Sequence, residues 1–118
     1  MIAELIMHCF HARTVAHILH FKARSYAQHI ALNEFYDGIV PLVDSLTEAY
    51  QGDYGIIDDY PTTFRMFPDG AALLEDLADW IVENRADIAD EGDTHLQNII
   101  DEMMALIRST QYKLKFLK

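Results

Sequence analysis

Leu32, Phe35, Ile39, Leu42, Leu46 and Ala49 recur at alternating steps of three and four. That spacing lays one apolar stripe along a helix, and a strand, with its period of two, has no use for it. Ser25 with Gln28 three residues on opens a capping box, so the helix is expected from about Tyr26. Gly52 is expected to end it, near Gln51. Pro41 removes the backbone bond to Asp37, but the stripe keeps its phase across it, which predicts a kink and not a break. A long helix with one apolar side must bury that side against other elements, and here the only candidates are helices.

Three further helical segments are legible. The first spans about residues 2–22, with Leu5, Phe10, Val15, Ile18, Leu19 and Phe21 as apolar points whose smeared periodicity predicts burial on several sides. The third covers about 71–90, with Leu73, Leu77, Trp80, Ile81 and Ile88 inward. The fourth covers about 94–110, capped by Asp93 or Thr94, with the stripe Leu96, Ile99, Ile100, Met103 and Ile107. The first and third connections are short, which makes their helices antiparallel neighbours. The second, from Asp53 to Gly70, is rich in Gly, Pro, Asp and Tyr; its Ile56, Ile57, Phe64 and Phe67 imply that it packs. It is long enough to travel the length of a bundle. The expected fold is therefore all-α: a ferritin-like antiparallel four-helix bundle with a long crossover between helices two and three, forming one domain over 1–118.

Composition sets the outer bounds. Hydrophobic residues make up 51% of the chain, too many for a disordered segment. The single Cys9 excludes an internal disulfide framework and fits a reducing compartment. No signal peptide or membrane-length apolar run is visible, so the expected location is the cytoplasm of a bacterial cell or of an infected host. A net charge of −10 argues against a general nucleic-acid surface. The exception is "KLKFLK", with Lys113, Lys115 and Lys118, read as a frayed solubilising end, so DNA binding is expected to be weak at most.

The second helix also carries residues that bind metals. At about 100° per residue its core stripe falls between roughly 220° and 320°, while His29, Asn33, Asp44, Asp37 and Glu48 fall between roughly 20° and 120°. These candidates share one flank, turned away from the chain's own core. Asp44 and Glu48, one turn apart, can grip one ion together. His29 lies near the end of the first helix, where His17 is expected beside it across the hairpin. Yet His29 and Asp44 are fifteen positions apart, roughly 22 Å along a helix. No single ion joins them within one chain. A twofold partner laid antiparallel over this face brings each histidine pair onto the other chain's carboxylates. Such mixed ligation suits iron, zinc or manganese.

His17, eleven residues, His29, three, Asn33, ten, Asp44, three, Glu48: this order resembles the ferroxidase signature of Dps proteins, the ferritin-like mini-ferritins. "SYAQHIALNEFYDGIVPLVDSLTEAYQG" looks like their second helix and "HARTVAHILHFKA" like the end of their first, a likeness covering roughly residues 8 to 52. The resemblance implies a site made of His17 and His29 from one subunit and Asp44 and Glu48 from its twofold mate, with Asn33 and Asp37 behind them. It also implies oxidation of ferrous iron, usually with peroxide, storage in a hollow dodecamer, and in many members protection of DNA. This chain departs from the pattern in three ways. Asn33 stands where the family usually has aspartate, Ile18 replaces a common tryptophan, and no basic N-terminal extension is present. Its compactness is similar to that of small ferritin-like proteins of phage genomes. The competing expectation is a metal-free helical interaction or structural module that keeps the fold without the chemistry.

Other constellations read as structure. His8, Cys9 and His11 are expected to be packing and surface residues, although His8 and His11 share a helix face, as do His17 and His20. His95 reads as surface, Met103 and Met104 as core filling, and Ser25 as a cap and no nucleophile.

Overall fold

The computed structural model describes residues 1–63 and 65–117; the expected packing of Phe64 and the charge of Lys118 fall outside them. Among the described residues there are four α-helices and no strand: α1 (Ile2–Lys22), α2 (Tyr26–Tyr54), α3 (Gly70–Ile88) and α4 (Thr94–Phe116). Together they form a four-helix bundle. α1 packs on α2 and α3, and α4 packs on the same two helices.

The stripe of α2 behaves as its spacing dictates. Leu32, Phe35, Ile39 and Leu46 are buried, joined by Tyr36 and Val43, while Leu42 and Ala49 pack at the edge of the core. Full burial of a side chain such as Phe35 stabilises by about 1.5–3 kcal/mol. Ser25 caps the helix, its hydroxyl accepting from the Gln28 amide at 3.3 Å. α2 runs unbroken through Pro41. Gly38 admits α4: a Cβ there would stand 3.1 Å from the Leu106 side chain.

Four expectations are corrected. α2 passes Gly52 and stops at Gly55, whose φ of 97° is one that residues with a side chain rarely adopt. In the second connection Ile57 and Phe67 pack on the core, but Ile56 is 79% exposed; α3 then begins at Gly70, within one residue of its expected start, where the Asp69 carboxylate accepts from the Ala72 amide at 2.8 Å. α4 does not fray at Thr110 but continues to Phe116, held by half-buried Leu114 and an ion pair between Lys113 and Glu34. On α1, Phe10 and Phe21 are exposed, while burial spreads over several sides as the smeared pattern predicts: Ile2, Leu5, Ile6, Cys9, Ala12, Val15, Ala16 and Leu19 are all buried, on a helix that packs against both α2 and α3.

Contacts fix the ends of the bundle. Asp53 and Tyr54, closing α2, meet His95 and Asp93 at the start of α4, at 2.6 and 2.5 Å. At the other end, Gly70 at the start of α3 is wedged between Leu32 and Leu114. The segment 55–69 joins these two ends of a body whose longest extent is 44 Å.

Candidate functional site

The α1–α2 hairpin is closed by two histidines. His20 and His29 stack with ring centroids 3.6 Å apart. The His20 Nδ1–H donates to the His29 carbonyl at 2.6 Å, and the His29 Nδ1–H donates to the His20 carbonyl at 2.9 Å. The His20 carbonyl also accepts from the amide of Ala23, the cap residue of α1, at 3.3 Å, so the His29 ring adds a second and shorter bond at that helix end. Because a carbonyl only accepts, both Nδ1 atoms carry the proton, and in the neutral rings Nε2 is left with its lone pair. His20 is buried and His29 half-buried.

Sequence reasoning placed His17 next to His29. In the structure His20 takes that position, and His17 stands one turn back, 5.9 Å from the His20 ring and stacked on Tyr36 at 4.1 Å. Tyr36 links this corner to α2: its hydroxyl donates to Asn33 Oδ1 at 2.8 Å, and Asn33 Nδ2 donates to Asp37 Oδ2 at 2.8 Å. Asn33 and Asp37 therefore stand behind His17 through Tyr36, and both ends of the Asn33 amide are engaged. The signal for His20 was present in its spacing from His17, but which ring reaches His29 depends on the short turn Ala23–Ser25, which no helical wheel contains.

The carboxylate pair lies toward the other end of the same two helices. Asp44 and Glu48 are exposed and edge a hollow of about 260 Å³ with Ile6, Phe10, Thr47 and Tyr60. The buried Thr47 Oγ1 beside them finds no hydrogen-bond partner among the described residues. No three His, Cys, Asp or Glu side chains among the described residues come together in a way that could hold a metal. Each end of this face offers a pair, or a pair with a neighbour, and not a complete site.

The remaining singled-out residues are structural here. His8 stacks on Trp80 at 4.6 Å, and burial lowers its imidazole below the ordinary 6.5, against the upward pull of Asp76. Burial pushes the Cys9 thiol up to about 12, which keeps it a packing group at neutral pH. His95 is exposed, as expected, with its Nε2 2.6 Å from Asp53. Met103 fills the core and Met104 packs at its edge.

The geometry defines a four-helix bundle whose first hairpin is closed by stacked imidazoles and carries an acidic pair at its far end. Residues 20–114 match a family of unknown function, DUF5856, and the chain belongs to that family. No curated protein and no solved structure matches it significantly. No helix is long and apolar enough to cross a membrane among the described residues.

Proposed function

We propose that this protein is a Dps-like, metal-handling helical protein whose site is completed by a second copy of the chain, with ferrous iron as its substrate. The observation that carries the reading is the division of donors on the α1–α2 face. His29, its Nδ1 bonded to the His20 carbonyl so that Nε2 is left to accept, lies at one end with His17 one turn behind His20, and exposed Asp44 and Glu48 lie at the other. A twofold axis that carries His29 onto a partner's Asp44 crosses α2 midway between positions 29 and 44, beside exposed Asp37 and Pro41. Imidazole nitrogen with carboxylate oxygen is a donor set that suits iron, zinc or manganese. The helix order supports the same reading. α2 ends at the pole where α4 begins, α3 starts at the opposite pole, and each packs on α1 and α4, an order compatible with segment 55–69 acting as a ferritin-like crossover.

On this reading His29 and His17 supply nitrogen and Asp44 and Glu48 supply oxygen. His20 holds the His29 ring, while the Tyr36–Asn33–Asp37 chain backs His17. A dodecamer and oxidation of the bound ion belong to the same proposal. One observation favours the alternative, a metal-free helical module: the rings of His17, His20 and His29 are already engaged in stacking. Anaerobic titration with ferrous iron, followed by optical measurement of its oxidation on adding peroxide, separates the two. The proposal predicts saturable binding that His29→Ala and Asp44→Ala each abolish. Equal binding and oxidation rates in wild type and variants would establish the metal-free reading.

A further inference from the structure

Charge is not spread evenly over this acidic chain. The pole formed by the ends of α1 and α4 and the starts of α2 and α3 holds Lys22, Arg24, Arg108, Lys113 and Lys115, five of its nine Lys and Arg. The same pole exposes Phe21, Tyr26, Tyr112 and Phe116. Two adjoining hollows of about 460 Å³ each run across it, sharing Ala71, Leu114 and Lys115. Leu19, Leu32 and Pro68 extend the apolar lining of the first hollow, Lys22 lines that hollow and Arg108 the second, and two carboxylates also line them: Asp69, which caps α3, and Glu75. Lys113 is paired with Glu34, but neither Lys22 nor Lys115 has a carboxylate partner among the described residues. The result is an apolar groove with unmatched cations on its rim.

The opposite pole is its complement. There α2 gives way to the non-helical stretch Gly55–Asp59, "GIIDD", in which Ile56 is 79% exposed and Asp58 and Asp59 are exposed and, among the described residues, have no cationic partner. Asp87, Asp90 and Glu91 add charge of the same sign at that end. An exposed aliphatic side chain followed by two carboxylates is what an apolar groove rimmed by lysines recognises.

We infer that the acidic stretch Ile56–Asp59 of one chain docks in the Lys22–Lys115 groove of another, joining copies head to tail. The contact is heterologous, so it propagates into a ring or an open row and does not close as a pair. It uses the poles of the bundle and leaves the α1–α2 face untouched, so it stands whether or not that face binds metal.

Sedimentation velocity on the full chain tests it. Wild type should show mass rising with concentration at about 20 mM salt, and the association should weaken at least about tenfold by about 500 mM, where the screening length is a few Å. The paired changes K22E/K115E and D58K/D59K should each abolish the association with helicity unchanged. Mixing the two variants should restore it, because each groove then meets a segment of opposite charge. Three results overturn the inference. The first is a mass independent of salt and of these substitutions, and the second is a mixture that fails to associate. The third is retention on an immobilised single-stranded oligonucleotide that depends on Lys22 and Lys115 while the mass stays constant, which would make a nucleic acid the groove's occupant.

Discussion

The two hairpins of the bundle are closed by different chemistry. α1–α2 is joined by two imidazole rings that stack and bond to each other's backbone. α3–α4 is joined by a guanidinium: Arg85 donates to Gln97 Oε1 and to the Gln97 carbonyl, and pairs with Asp101 at 2.7 Å. Gln97 in turn donates to the Ala89 carbonyl. The arginine fork is permanently charged, and all its nitrogens are donors. It can hold helices together and can bind no metal. The histidine clasp holds helices with one nitrogen of each ring and leaves the other as a base. The proposed site lies on the α1–α2 hairpin, where rings with a spare nitrogen share a face with the exposed Asp44 and Glu48.

The strongest challenge to the comparison is the core that both hairpins share. Phe35→Ala on α2 and Ile100→Ala on α4, both fully buried, should cost about 3–5 and 2–5 kcal/mol respectively, each lowering one common transition in denaturant unfolding. Two separable transitions would mean that the hairpins are independent units. At the clasps, His20→Ala should cost about 2–3 kcal/mol, since it empties a buried site and leaves the His29 ring only its more distant contact with Tyr26. His20→Phe should recover the stacking and still lack the bond. Arg85→Ala should cost about 1–2 kcal/mol, and that loss alone should shrink at high salt, because Asp101 is exposed. Equal salt dependence in the two clasps would erase the distinction.

A smaller effect comes from His8, on the face of α1 turned toward α3. Its folded pKa lies below 6.5, so the neutral ring's contribution is present above pH 6.5 and lost as pH falls through the folded value. Stability should decline on acidification, and His8→Gln should flatten that slope in melts at several pH values. The smallest effects are expected at Asp44→Asn and Glu48→Gln, within about 0.5 kcal/mol of wild type, because both side chains are exposed. Metal binding should vanish in both. A large loss of stability would make these carboxylates structural.

Much of this was legible because it is local. The α2 stripe, the Ser25 cap and continuity through Pro41 follow from spacing and from one hydroxyl. Helix ends were less legible. Gly52 and Gly55 are equal candidates in sequence, and only the backbone angle at Gly55 decides between them. α4 outruns its expected end because Glu34, seventy-nine positions away, meets Lys113. The candidate ligands of α2 were readable as one flank, and Asp37, Asp44 and Glu48 are exposed there. The partner of His29 was not, since the register of the turn selects His20 over His17. The polar division between a basic, aromatic pole and an acidic one is also invisible along the chain, because it assembles from the ends of all four helices.

The claim that two copies share one site is tested most directly by complementation. His29→Ala and Asp44→Ala proteins are mixed under conditions in which subunit exchange is shown by a fluorescent label, and bound ferrous iron is then measured. In a mixed pair one interface site receives both lesions and the other receives none. The account predicts no binding by either variant alone and, on mixing, recovery toward one intact site per mixed pair. If subunits exchange and no binding returns, the shared site is wrong, and Asp44 and Glu48 are an ordinary solvated flank.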